Sequence, residues 1–191
     1  MTTQPIRNTT HIKQISSYFL NKGELRNYLL FIMGIHTALR ISDMLRLTWD
    51  DIYDFSNNCV RREFTIVEKK TGKSKIIAVN QSVMKAITQL FNQIKPTSKN
   101  FLFANPHLNK AISRIQAYRI LHDVAEKACV DVPLSCHSLR KTFGYHLWKK
   151  GTSLVIIMDI YNHSSYAITK RYLGITQDDK NSAYLELEFG T

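Results

Sequence analysis

Cysteine is scarce in this chain of 191 residues, and the three present, Cys59, Cys129 and Cys136, form no CxxC pair. An odd, scattered set excludes a disulfide framework and points to reduced, buried thiols in the cytoplasm. Cys136 sits beside His137 but has no matching second pair at ligand spacing, which argues against a zinc module. No GxxxxGK[ST] loop occurs, and no cluster of carboxylates that could hold two metal ions. The polar N-terminus, Met1 to Thr10, has no apolar core for a signal peptide. The apolar run from Tyr28 to Ile35 is soon broken by polar residues, far short of a membrane span. Low-complexity tracts, internal repeats and a convincing interdomain linker are also missing.

Acidic residues are few as well. Fifteen Asp and Glu stand against 26 Lys and Arg, leaving a formal net charge of +11 and a pI near 9.6. Phosphates reward such a surface, because each cation that meets one releases condensed counterions. A basic membrane-surface protein would need an amphipathic basic helix, and none is evident. Double-stranded nucleic acid is therefore the expected partner, with no membrane and no small-molecule substrate. The length suits a single domain, residues 1–191, with a sizeable core.

Most of the chain reads as helix. A polar arm, Met1 to Asn8, leads to helical pattern from His11, then to a stronger helix from Leu25 to Ile35. After a turn near Thr37 to Arg40, Ser42 is expected to cap a short helix through Leu47. The period then changes: Arg62–Glu68 and Lys75–Val79 read as two strands joined by Lys70-Thr71-Gly72-Lys73, with Gly72 supplying a positive φ. Asn80 or Ser82 caps a helix from Val83 to Ile94, which Pro96 closes. Further helices are expected over Lys110–Cys129, His137–Lys150, Leu154–Tyr161, Tyr166–Leu173 and Asp178–Phe189, with Gly151 ending the second of these. The expected fold class is α+β, mainly α: packed helices with one small β-hairpin.

Four short stretches carry residues suited to phosphodiester chemistry. They are Thr37-Ala38-Leu39-Arg40-Ile41-Ser42-Asp43, Lys70-Thr71-Gly72, His137-Ser138-Leu139-Arg140, and His163 with Tyr172 nine positions on. Arginine suits a phosphorane-like transition state because its planar fork donates two parallel charge-assisted hydrogen bonds. His137 and Arg140 lie three apart on one helix and share adjacent surface. A tyrosine hydroxyl is mostly protonated at neutral pH and needs cationic surroundings to become a nucleophile. Taken singly, each stretch is compatible with a solvated cation or a core aromatic.

Together and in this order, they resemble the catalytic domain of tyrosine recombinases, the phage and transposon integrases, from about Lys22 to Leu173. The one departure is Asn162, where the family usually has glycine before His-Ser-Ser. Asparagine is the next most tolerant residue for a left-handed helix end. The resemblance implies a catalytic set of Arg40, Lys70, His137, Arg140, His163 and Tyr172. It makes Tyr172 the nucleophile and Lys70 the proton donor to the departing 5′-oxygen, with Lys69 or Lys73 as alternates. Asp43 would support Arg40 or a histidine, while Lys69, Lys73, Lys75 and Lys141 would hold DNA. It further implies no cofactor, metal or ATP, a 3′-phosphotyrosine intermediate, and a homo-oligomer, a tetramer on two duplexes. The usual N-terminal DNA-clamping domain is not expected in this chain. A type IB topoisomerase and a non-catalytic integrase-derived regulator are the alternatives. The tail Ala183–Phe189 could dock on a neighbouring copy or fold back on its own.

Overall fold

Helix starts follow the chain's capping side chains closely. In the computed structural model, which describes residues 3–108, 110–187 and Phe189, Asn8, Asn80, Ser113, Ser135, Ser153, Ser165 and Thr176 each open a helix by accepting a backbone N–H. The order is α1 (Thr9–Asn21), α2 (Leu25–His36), α3 (Ile41–Met44), α4 (Trp49–Ile52), β1 (Tyr53–Asp54), β2 (Cys59–Val60), β3 (Glu63–Val67) and β4 (Ser74–Ala78). It continues with α5 (Gln81–Ile94), α6 (Arg114–Lys127), α7 (Cys136–Lys149), α8 (Leu154–Tyr161), α9 (Tyr166–Leu173) and α10 (Gln177–Leu185). Helices dominate, as expected.

The core is built around α2, whose residues Leu29 to Ile35 are all buried and which packs on α1, α5 and α7. A helix apolar on every face belongs in the middle of a domain. Its neighbours contribute Phe19, Ile87, Leu90, Leu121 and Leu139 to one continuous cluster. A smaller cluster of Ala38, Ile157, Tyr161 and Leu173 sits between α7, α8 and α9, beneath the motif residues. Gly144 makes that approach possible, because a Cβ there would collide with Tyr161 and Leu173. Among the described residues, no helix is long and apolar enough to cross a membrane.

Several expectations need correction. Among the described residues there are two two-stranded sheets rather than one hairpin: β3–β4 as read, and a β1–β2 pair too short to leave a period-two pattern. Arg40, not Ser42, is the N-cap of α3; its extended backbone (φ −74°, ψ 145°) precedes a helix whose Asp43 and Met44 amides bond to its carbonyl. Helix α6 starts at Arg114 instead of Lys110, because Ser113 and Gln116 form a reciprocal capping box. The last helix begins at Gln177 through a similar box between Thr176 and Asp179, and it ends at Leu185. Met1, Thr2 and Glu188, part of the expected arm and tail, lie outside the described residues. The thiols are not buried either: Cys59 and Cys129 are exposed and Cys136 is half-buried.

Candidate active site

Of the six residues in the expected catalytic set, Arg140 is the most enclosed, at 2% exposure. Its guanidinium donates to the Ala38 carbonyl, and to the Tyr161 carbonyl at 3.2 Å. Ala38 adopts φ 55°, a region that costs a residue with a Cβ roughly 1–2 kcal/mol, and this strained turn presents its carbonyl to Arg140. The Arg140 guanidinium also covers the Tyr161 ring at 4.8 Å, while Tyr161 Oη donates back to the Arg140 carbonyl at 2.6 Å. The turn between α2 and α3, helix α7 and the end of α8 are thereby fixed to one another.

Tyr172, on α9, lies beside that pair. Its ring meets His137 at 4.9 Å, and Tyr161 and His163 each at 5.0 Å, all edge-to-face, with the Lys141 ammonium 5.5 Å from its centroid. The hydroxyl is buried and makes no well-aimed hydrogen bond among the described residues, although the Arg140 guanidinium lies close enough to favour its ionised form. Burial pushes the phenol pKa up, and the charges of Arg140 and Arg40 act against that rise. His163 stacks on Tyr161 and shares a hydrogen bond between Nδ1 and Thr169 Oγ1 at 3.1 Å. Burial first, then Arg140, Arg40, His137 and Lys70, hold its pKa down to about 4. His137 is exposed, and its pKa is also lowered, by partial enclosure and then by Lys141, Arg140 and Arg40. Both imidazoles are therefore neutral at pH 7.

Arg40 faces the opening. Its Nη1 lies 2.8 Å from Oε1 of Glu68, a fully buried carboxylate, although the N–H is not well aimed for a hydrogen bond. Thr71 Oγ1 donates to Glu68 Oε2 at 2.8 Å and Asn162 Nδ2 at 3.1 Å. Burial opposes the charge on Glu68 most strongly, yet Arg40, Thr71 and Asn162 outweigh it and hold the carboxyl below its ordinary pKa. Asp43 is also buried, but its contacts differ from those expected. It accepts from the Lys69 backbone amide at 3.0 Å and from Arg46 at 3.1 Å, so it anchors the turn that carries Lys70 rather than Arg40 or a histidine.

The lysines divide into two groups. Lys69, Lys70 and Lys73 are exposed on the β3–β4 turn, where Gly72 has the expected positive φ of 67°. Lys75 points inward: its Nζ donates to the Ile160 carbonyl at 2.5 Å, and burial, then Arg140, lowers its pKa to about 8. Lys141 Nζ donates to the Thr3 carbonyl at 2.7 Å, so its charge is engaged with the N-terminal arm. An open cleft of about 610 Å³ in front of the site is lined by Arg40, Ser42, Lys69, Lys70 and Arg114. Arg114 was not anticipated; neither were Glu68, the Tyr161 platform or the Asn162 side chain. Another depression, of about 660 Å³ beside Leu25, Ile94 and Leu108, holds none of the motif residues.

Two arginines, two histidines and a tyrosine thus lie close together on this helical scaffold. The phage integrase family model matches residues 8–178, and the chain belongs to that family. It is 40% identical over 181 residues to the "Probable integrase/recombinase YoeC" of Bacillus subtilis, covering 95% of this chain and 94% of the relative. Against the tyrosine recombinase XerD of Halalkalibacterium halodurans it is 26% identical over 165 residues, covering 84% of this chain but 53% of XerD. The chain thus spans about half the length of its XerD relatives. The solved structure of the XerH site-specific recombinase on a palindromic difH substrate, a post-cleavage complex, shares the fold with a TM-score of 0.76 at 18% identity. It covers 95% of this chain and 52% of XerH.

Proposed function

We propose that this chain is the catalytic domain of a site-specific recombinase that cuts and rejoins double-stranded DNA in the cytoplasm. Tyr172 Oη attacks a backbone phosphorus, forming a tyrosine–phosphate ester on the 3′ side while the bond to the 5′-oxygen breaks. The phenol proton passes to the neutral His137 imidazole, and Lys70 delivers a proton to the departing 5′-oxygen. Arg40 and Arg140 hold the non-bridging oxygens as negative charge builds. The ester conserves the bond, so a second 5′-hydroxyl reverses the step and joins the strands. Lys69, Lys73 and Arg114 line the approach and grip phosphates, while Lys75 and Lys141 brace the site from inside. Four copies on two duplexes complete the exchange, with the exposed Tyr184, Leu185, Leu187 and Phe189 available for contacts between copies.

One observation carries this reading: the Tyr172 ring lies 4.9 Å from His137 and 5.0 Å from His163, on the same platform that stacks Arg140. The test is a nicked suicide duplex carrying the recognition site, incubated with the parent and with Tyr172→Phe. A protein–DNA adduct that survives a denaturing gel only with the parent supports the proposal. No adduct with either removes it. Relaxation of supercoiled plasmid without strand exchange between two sites would move the chain to the type IB topoisomerases.

A further inference from the structure

Glu68 is fully buried, so it cannot touch DNA, yet its carboxylate meets a residue from each of three motifs that are far apart in sequence. Arg40 comes from the first, Thr71 from the Lys70 turn, and Asn162 from the residue before His163. Its backbone closes the same turn: Glu68 N donates to the Lys73 carbonyl at 3.0 Å, and Gly72 N donates to the Glu68 carbonyl at 2.9 Å. On β3 the buried positions are Phe64 and Ile66, and Glu68 is the next in that alternation. A carboxylate thus stands where the pattern calls for another apolar core side chain. An uncompensated charge there would be strongly destabilising, and three partners are assembled around it instead.

We propose that Glu68 is a positioning residue: one buried carboxylate that sets Arg40 and, through Thr71 and Asn162, holds the Lys70 turn and the His163 segment in register with it. This rests on the recombinase reading above and deepens it. It also assigns a purpose to Asn162. A left-handed helix end at φ 53°, ψ 42° suits glycine better than asparagine on backbone grounds alone. The side chain is retained for the hydrogen bond it donates to Glu68. Glu68 and Asn162 act as a pair, 94 positions apart.

Asn162→Gly is the clean test, since it removes one hydrogen bond and leaves the turn unstrained. Glu68→Gln, with its fold checked by thermal unfolding, is the stronger perturbation. The readouts are single-turnover adduct formation on suicide DNA and equilibrium DNA binding. Asn162→Gly is expected to slow adduct formation about 5-fold, the scale of one ordinary hydrogen bond. Glu68→Gln should slow it on the order of 10- to 100-fold, as misplacement of catalytic groups does. Both should bind DNA within about twofold of the parent, which a general loss of structure would not allow. The double variant should be no slower than Glu68→Gln. A 5′-bridging phosphorothiolate, whose sulfur leaves without a proton, should recover part of the Glu68→Gln loss, because Lys70 is held through Thr71. Parent-like rates for Asn162→Gly, or additive losses in the double variant, overturn the positioning role while leaving the recombinase reading intact. A parent that forms no adduct overturns both.

Discussion

His163 lies edge-on to Tyr172, with ring centroids 5.0 Å apart and planes at 72°, and it stacks at 22° on Tyr161. Enclosure and the neighbouring cations hold its pKa at about 4, below the ordinary 6.5. Between those values the unfolded chain binds the proton and the folded one does not, so stability falls as pH drops from about 6.5 towards 4. His137 and His36 shift in the same direction. His163 is partly exposed, and solvent screening reduces its share to on the order of 1 kcal/mol. Thermal unfolding from pH 7 to pH 4.5 should show a falling Tm in the parent and a shallower fall in His163→Gln. Identical slopes would remove the depressed imidazole.

Tyr172→Phe should abolish the covalent adduct without loosening the protein. The hydroxyl is buried and makes no well-aimed hydrogen bond among the described residues, and a buried polar group left so costs about 1–3 kcal/mol. Deleting it leaves every ring contact in place. Tm should hold or rise by a few degrees, at about 2–4 °C per kcal/mol for a domain of this size. A nucleophile that stabilised the fold would give the opposite sign, so a clear drop in Tm counts against the packing described here.

Arg40→Ala should behave unlike an ordinary surface truncation. It strips the ionic partner from Glu68, and breaking a buried pair this way costs roughly 3–5 kcal/mol. Thr71 and Asn162 alone then oppose burial, and the Glu68 carboxyl is expected to rise above its ordinary range. A raised folded pKa means that protonation favours the native state, and the variant should lose stability as pH rises from about 4.5. In the parent, whose Glu68 is depressed and ionised in both states, Glu68 contributes no change between pH 5 and pH 8. Melting curves at pH 5 and pH 8 distinguish them. An equal Arg40→Ala penalty at both would mean Glu68 does not depend on Arg40.

Local chemistry made much of this legible. Gly72 between two β-branched runs marked the hairpin, and single Ser or Asn caps marked α5, α8 and α9. Arg40 hid as an N-cap because its cap uses backbone alone, with no side-chain hydrogen bond to suggest it. Lys75 read as surface because Ile76 and Ile77 are both apolar and mask the alternation. Only the pairing shows that Lys75 shares the inward face with Ile77, while Ile76 is 65% exposed. Glu68 looks like one more charge at a strand end, since its partners Arg40 and Asn162 lie far away in sequence. Polar satisfaction of a buried group is a tertiary property, and no window of ten or fifteen residues contains it.

The N-terminal arm, read from the sequence only as a polar lead into the first helix, makes a final case. Ile6 is fully buried; its amide donates to Thr142 Oγ1 at 2.8 Å, and its carbonyl meets His146 Nε2 at 2.9 Å. Arg7 donates to the Gly174 carbonyl and to Asp179 at 3.0 Å, and Asp179 also pairs with Lys149 at 3.2 Å. The arm therefore ties α7 to the segment just beyond Tyr172. Ile6→Ala should cost about 2–5 kcal/mol through the cavity it leaves, and Arg7→Ala about 1–2 kcal/mol through a lost bond to a charged group. Arg7→Ala should also free α10, so limited proteolysis should cut faster between Gly174 and Leu185 than in the parent. Because hydrogen bonds and cations overcome burial to hold the Asp179 carboxyl well below the usual range, that contribution is present above about pH 4 and fades on further acidification. Arg7→Ala should thus sit closest to the parent at low pH. A variant with parental Tm and parental cleavage at pH 7 would show that the arm rests on α10 without restraining it.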